Sequence, residues 1–154
     1  MNDKSRGWFY VVLQFVLIFL LVLSPRMESP YGGASEIVGT VGLALIALGS
    51  GLLLFSFLGL GNSLTAHPSP KEKGQLVTTG IYSRVRHPIY FALLVMGFGV
   101  MLDAGYWPQV IAYMLLFALL NTKAAFEETL LRKKYPAYDR YALKTPRLFP
   151  RLGR

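Results

Sequence analysis

The chain predicts an all-α, integral-membrane fold of about four transmembrane helices, and three observations predict it. The composition is 53% hydrophobic and only 16% charged over 154 residues, with a mean hydropathy of +0.43. Four runs carry no charged residue: Trp8–Leu23, Ile37–Leu60, Ile89–Leu102 and Tyr106–Leu120. The basic residues gather at one set of run ends, which lets the runs be oriented.

Each element follows from its own residues. The second run is long enough to cross a bilayer unaided, since a span takes about 20 residues at about 1.5 Å each. The first crosses with help from flanking polar residues. The third and fourth are short. They read as a tight helical hairpin turned at Asp103-Ala104-Gly105, with both helices continuing into the interface. Taken alone, either short run also fits a buried helix of a soluble protein; beside the other two, the membrane reading is preferred. Pro88 and Pro108 suit first helical turns, where a missing N–H costs nothing. No breaker follows until Pro136, so the fourth helix is expected to run about 28 residues, roughly 42 Å, and to project past the membrane. Ala47 and Gly51, in the second run, have the small-xxx-small spacing that lets helices approach closely.

Between these runs lie Ser24–Glu36, with two prolines and a Gly pair, and the irregular segment Asn62–Pro88, broken by Pro68, Pro70, Gly74 and Gly80. The tail TPRLFPRLGR reads as extended and packed back on that segment. The chain reads as one domain. Its spans lie at about 8–23 and 37–60, a cytoplasmic loop at 62–88, the hairpin at about 89–121 and a C-terminal cytoplasmic region at 122–154.

Of 16 Lys and Arg, only Arg26 falls in a segment placed outside. Lys4 and Arg6 precede the first span; Lys71, Lys73, Arg84 and Arg86 lie between the second and third; the other nine, Lys123 to Arg154, follow the fourth. Glu28, Glu36 and Asp103 occupy the outer loops. This asymmetry predicts that both termini are cytoplasmic. It also explains the net charge of +8 through attraction to anionic membrane lipid, without nucleic acid as a partner. The absence of Cys excludes disulfides, thiolate catalysis and Cys-ligated zinc, and no metal site is expected. After the first run, SPRMESP offers no small-x-small cleavage site, so that run is expected to stay as a helix.

Two segments can carry chemistry: GIYSRVRHPIY before the third span and KAAFEETLLRKKYPAYDRY after the fourth. Each residue has a plain reading on its own. His87 can be a polar interfacial anchor, Tyr82 and Tyr90 interfacial aromatics, Arg84 and Arg86 partners of lipid phosphates, and Glu127 and Glu128 a solvated helix face. Their combination favours a site, because a hairpin brings the two segments to the same membrane face. His87 stands near the start of the third helix, where the helix dipole tends to keep an imidazole neutral. Lys123 and Glu127 are four apart and share one helix face. Glu128 lies about 100° round the helix.

LVTTGIYSRVRHPIY, followed after one hairpin by EETLL, YPAYDRY and TPRLFP, resembles the isoprenylcysteine carboxyl methyltransferase family and its prokaryotic relatives. These are integral-membrane enzymes that use S-adenosylmethionine. The resemblance covers roughly residues 76–150, about half the chain. It implies that Gln75, Leu76, Val77, Tyr82, His87, Pro88, Ile89 and Tyr90 contact the cofactor. It further implies that Lys123 and Glu127 form the substrate-facing catalytic pair. Independently of the resemblance, Lys123 or Arg147 is expected to engage an anionic end of a lipidic substrate. The family usually has Arg where Lys123 stands. An ammonium cannot form the two-pronged fork that a guanidinium gives a carboxylate, so the substrate can differ accordingly.

The expected activity is methyl transfer to a lipid-like or lipidated acceptor, of which an isoprenylcysteine-type carboxylate is one form. A carboxylate nucleophile needs no general base; an amine or thiol would make Glu127 or His87 the proton acceptor. Two alternatives stay open: a sterol-reductase-like, NADPH-dependent membrane reductase, and a non-catalytic membrane scaffold of the same fold. A channel or transporter is disfavoured because no charge lies inside any of the four runs.

Overall fold

The computed structural model describes residues 2–25, 35–63, 65, 74–104 and 107–151. Arg26 and Glu28 of the first loop, His67, Pro68, Pro70, Lys71 and Lys73 of the second, Gly105 of the hairpin turn and Leu152–Arg154 of the tail lie outside the described residues. All regular structure among the described residues is helical. Five α-helices follow one another: α1 (Asp3–Leu23), α2 (Ser35–Leu60), α3 (Pro88–Ala104), α4 (Trp107–Lys134) and α5 (Tyr138–Lys144). Short 3-10 turns follow α2 at Gly61–Ser63 and precede α3 at Gly80–Ser83.

Three of the helices, α1, α2 and α4, are long and apolar enough to cross a membrane. The fourth expected span, α3, is apolar but has 17 residues. At a rise of about 1.5 Å per residue that is roughly 26 Å. The start of α3 at Pro88 and the run of α4 to Lys134 agree with the sequence reading, and α4 has the expected 28 residues. The short helix α5 was not expected: the sequence reading saw only a run of tyrosines there. Its N-terminus has no side-chain cap hydrogen bond, so the local sequence gives little warning of it.

The hairpin partners α3 and α4 make their largest interfaces with other helices. The widest contact in the fold joins α2 to α3, and the next joins α1 to α4. Glycines explain the first. Gly42, Gly49 and Ser56 recur every seven residues along α2 and are buried. A β-carbon at Gly42 would stand 2.7 Å from the Gly99 carbonyl, and one at Gly99 would stand 2.5 Å from the Gly42 carbonyl. At Gly49 it would strike Met96 at 2.3 Å. The backbones therefore touch, and only hydrogen fits between them. The expected seam through Ala47 and Gly51 is corrected: Ala47 is exposed, and a β-carbon at Gly51 meets nothing within 4 Å. The spacing identified small residues but not which face of the helix carried the partner.

The α1–α4 contact uses side chains. On α1, Gly7, Val11, Gln14, Leu17 and Leu21 are buried, a stripe at three- and four-residue spacing. Leu17 and Leu21 join Leu94 of α3 with Ala112, Leu116, Leu119, Leu120 and Ala124 of α4, and Leu148 of the tail, in one apolar core. The opposite face of α1 exposes Trp8, Phe9, Phe15 and Phe19, as a lipid-facing surface would. Between α1 and α2 there is no substantial interface.

The tail packs back as the sequence suggested. Arg86 N–H donates to Pro146 O at 2.9 Å, and His87 N–H donates to Arg147 O at 3.1 Å. The glycine seam yields a direct comparison. Gly99→Ala should lower the thermal unfolding midpoint in detergent, because a β-carbon there meets backbone. Gly51→Ala should leave the midpoint equal or higher, since alanine favours helix over glycine by about 1 kcal/mol.

Candidate active site

A cavity of about 530 Å³ opens where four helices, the 3-10 turn and the tail-side helix converge. Apolar side chains on its wall include Val11, Phe15 and Ile18 of α1, Leu53 and Phe57 of α2, and Leu93 of α3. Gln75, Leu76 and Val77 of the irregular segment and Tyr82 of the 3-10 turn also line it. His87, Pro88, Ile89 and Tyr90 come from the start of α3, and Lys123 and Glu127 from α4. Every residue assigned to the cofactor or to the substrate-facing pair thus lines one space. Arg147 does not, for a reason given below.

The helix start delivers His87 and Tyr90 together. Pro88 opens α3, and the His87 carbonyl accepts from both Tyr90 N–H and Phe91 N–H at 3.1 Å. One turn therefore separates the two rings, which stack with centroids 5.4 Å apart and planes within 2°. Across the cavity, Tyr90 Oη donates to Glu127 Oε1. His87 Nδ1 stands 3.5 Å from Glu127 Oε2, and His87 Nε2 stands 3.4 Å from Glu128 Oε1. Nε2 is buried without a hydrogen-bond partner. Lys123, only 5% exposed, donates from Nζ to Gln14 Oε1 at 2.7 Å and sits 5.1 Å from the Tyr90 ring centroid.

Gln14 was missed by the sequence reading. Its signal was available: it is the lone amide side chain in an otherwise apolar run, and a polar group there needs a partner. Arg86 and Glu128 pair beside the cavity, in place of the plain single-residue readings of lipid contact for one and solvent for the other. The Glu128 side chain is 0% exposed. Its Oε1 accepts from Arg86 Nε at 3.0 Å and Nη2 at 2.8 Å, and from Arg147 Nε at 3.0 Å. Its Oε2 accepts from Arg147 Nη2 at 3.0 Å. Arg86 Nη1 reaches further, to the carbonyls of Ala142 at 2.7 Å and Thr145 at 2.5 Å. Arg147, expected at the substrate, is held in this clamp instead. A buried carboxylate is tolerable only when paired and fully hydrogen-bonded, and two guanidinium forks supply that. The bond to Glu128 in turn raises the Arg147 pKa above its ordinary value.

Tyrosines knit the remaining walls. Tyr82 Oη donates to Ser56 O at 3.2 Å, Tyr135 Oη to Gly74 O at 2.7 Å, and Tyr141 Oη to Tyr82 O at 2.5 Å. Burial pushes the Tyr82 and Tyr138 phenols well above their ordinary value, and pushes Tyr141 up to about 12.

The family model for phospholipid methyltransferases matches residues 37–138, two-thirds of the chain. The chain belongs to the phospholipid methyltransferase family. This agrees with the resemblance read from the His-Pro and Glu-Glu segments. With three span-length apolar helices, the family member is a methyltransferase-related membrane protein. It is 32% identical over 151 residues to the nickel-cobalt-cadmium resistance protein NccN of Alcaligenes xylosoxydans xylosoxydans. It is 32% identical over 150 residues to the cobalt-zinc-cadmium resistance protein CzcN of Cupriavidus metallidurans. Each match covers 96% of this chain, which spans 65% and 64% of the two relatives' lengths. Helix α1, with Gln14, precedes the family match.

Two outcomes follow from the site. Glu128→Ala should destabilise the fold by about 3–5 kcal/mol, read by thermal or denaturant unfolding, because buried guanidinium groups lose their counter-charge. The tyrosines give a pH dependence. Folding favours their neutral form, so this stabilisation is complete below about pH 10, the ordinary tyrosine value. It falls as pH rises toward the Tyr141 value of about 12. The tyrosinate absorbance contributed by Tyr82, Tyr138 and Tyr141, taken as the difference between wild type and the corresponding Tyr→Phe variants, should therefore grow in step with unfolding.

Proposed function

We propose that this family member transfers a methyl group from S-adenosylmethionine to a lipid-like or lipidated acceptor. In this reading α3 is a fourth span, both termini are cytoplasmic, and the chain forms one catalytic domain. The observation that carries it is one cavity that gathers His87, Tyr90, Lys123 and Glu127 with apolar side chains of α1, α2 and α3. A small polar cofactor and an amphiphile's hydrocarbon need both kinds of group within one space.

The residues present fit the cofactor. Aromatic faces attract a sulfonium cation, and Tyr82 and Tyr90 line the cavity. Segment 74–77 forms no helix or strand; Gly74 C=O and Gln75 N–H bond Tyr135 and Ser63, and the backbone of Leu76 and Val77 is what the segment can offer a ligand. His87 lines the cavity with its ring stacked on that of Tyr90. Gln75, Leu76, Val77, Tyr82, His87, Pro88, Ile89 and Tyr90 would hold the group. When bound, it supplies an activated methyl carbon for in-line displacement.

The chain's own groups then bind and orient the acceptor. Lys123, steadied by Gln14 and the Tyr90 ring, presents positive charge to an anionic acceptor end. Glu127 is fixed by the Tyr90 hydroxyl and lies beside the His87 imidazole. It is the proton acceptor for an amine or thiol nucleophile; a carboxylate needs none. The apolar side chains exclude water and admit hydrocarbon from the bilayer between α1 and α2. Holding nucleophile and methyl carbon together in a dry slot supplies much of the rate. The family match favours transfer over the reductase alternative. The metal-resistance names belong to longer proteins, and the proposed transfer uses no metal.

The test is incubation of lipid-reconstituted protein with methyl-labelled cofactor and a membrane extract. Label should pass to an extractable amphiphile, and Glu127→Gln should abolish most of it. His87→Ala and Tyr90→Ala should each weaken cofactor binding by about tenfold or more, the equivalent of one lost polar contact of about 1.4 kcal/mol. Binding of NADPH without S-adenosylmethionine, or of neither, would overturn the proposal.

A further inference from the structure

Val11, Gln14, Phe15 and Ile18 of α1 line the cavity together, at the three- and four-residue spacing of one helix face. Lys123, Glu127 and Leu131 do the same from α4. Where the two faces meet, Lys123 Nζ donates to Gln14 Oε1 at 2.7 Å, with the Tyr90 ring centroid 5.1 Å away. Both residues are buried. An ammonium has three N–H donors, and the amide takes one of them. Among the described residues Lys123 forms no ion pair; the oxygens of Glu127, one turn on, face Tyr90 Oη and the His87 ring instead. A buried charge held by a neutral partner alone costs free energy, which a matching anion offsets. Gln14 Nε2 likewise makes no hydrogen bond among the described residues. It is not one of the unpaired atoms that are shut away, so it keeps access to the open space that Gln14 lines.

We propose that Gln14 is a positioning residue that selects an anionic amphiphile as the methyl acceptor. Its neutral amide holds the Lys123 ammonium in place without cancelling the charge, as a carboxylate at position 14 would. The uncancelled charge suits a head bearing a carboxylate or phosphate oxygen. The hydrocarbon then lies against Val11, Phe15 and Ile18, on the same face of α1 as the amide. The assignment rests on the reading of the cavity as a methyl-transfer site, and it adds the charge class of the acceptor. Gln14 precedes the family match, so selection is set from a helix outside the matched stretch.

The test uses the full chain in uncharged detergent and three probes of one hydrocarbon length: dodecanoate, dodecyl phosphate and dodecanol. Affinity is read from the rise each gives the unfolding midpoint. Wild type should bind at least one anion about tenfold or more tighter than dodecanol, and the tighter anion names the head. Gln14→Glu keeps an acceptor for Lys123, so its ligand-free midpoint should stay near wild type while the preference for anions vanishes. Gln14→Leu removes the amide and adds no charge, so the preference should persist at weakened affinity. A merely structural Gln14 would leave the preference intact in Gln14→Glu. That result, or loss of the preference in Gln14→Leu, overturns the proposal, and either variant decides if the other does not fold. Binding of S-adenosylhomocysteine by wild type is measured in parallel by calorimetry. Its presence without any preference for anions overturns the selection alone. Its absence overturns the methyl-transfer reading and the selection with it.

Discussion

The buried carboxylate of Glu128 is the point on which the polar half of this molecule depends. It lies on α4, yet its partners come from the loop before α3 and from the tail after α5. Without that charge, three stretches of chain distant in sequence would have no common anchor. With it, Arg86 is fixed, and its neighbour His87 is fixed with it. The order of dependence runs from electrostatics to chemistry. A pairing requirement in a water-poor setting dictates where the loop ends, and the loop's end dictates where the imidazole stands.

A division of labour follows between adjacent carboxylates. Glu127 and Glu128 differ by one position, about 100° round the helix, and that turn separates cavity from clamp. Glu127 meets a phenol, an imidazole and open space. Glu128 meets three guanidinium groups, those of Arg86, Arg132 and Arg147, and no solvent. Two like residues in sequence thus become a candidate reagent and a structural rivet. The stacking of His87 on Tyr90 links the two, since one ring faces both carboxylates.

Much of this was legible beforehand. The apolar runs fixed where helices lie, and the prolines fixed where α3 and α4 begin. The four-residue spacing of Lys123 and Glu127 put both on one face, which is the face that lines the cavity. What stayed hidden was pairing at long range. Nothing local distinguishes Gly51 from Gly49; only the opposing backbone does. Gln14 and Lys123 are 109 positions apart, and no pattern along the chain couples them. Arg147 was expected from its charge at an anionic substrate end, and its fork binds Glu128. Helix α5 lacked a capping signal and is held by the Arg86 contact as much as by its own propensity.

The direct backbone contact between α2 and α3 has a mechanical consequence. These helices bracket the segment that walls the polar compartment, and hydrogen-sized spacing leaves them no freedom to slide apart. That compartment is a vessel of fixed width. No such seam joins α1 to α2. On the proposed reading, an acceptor's hydrocarbon can vary in girth on the side without a seam and leave the α2–α3 spacing unchanged.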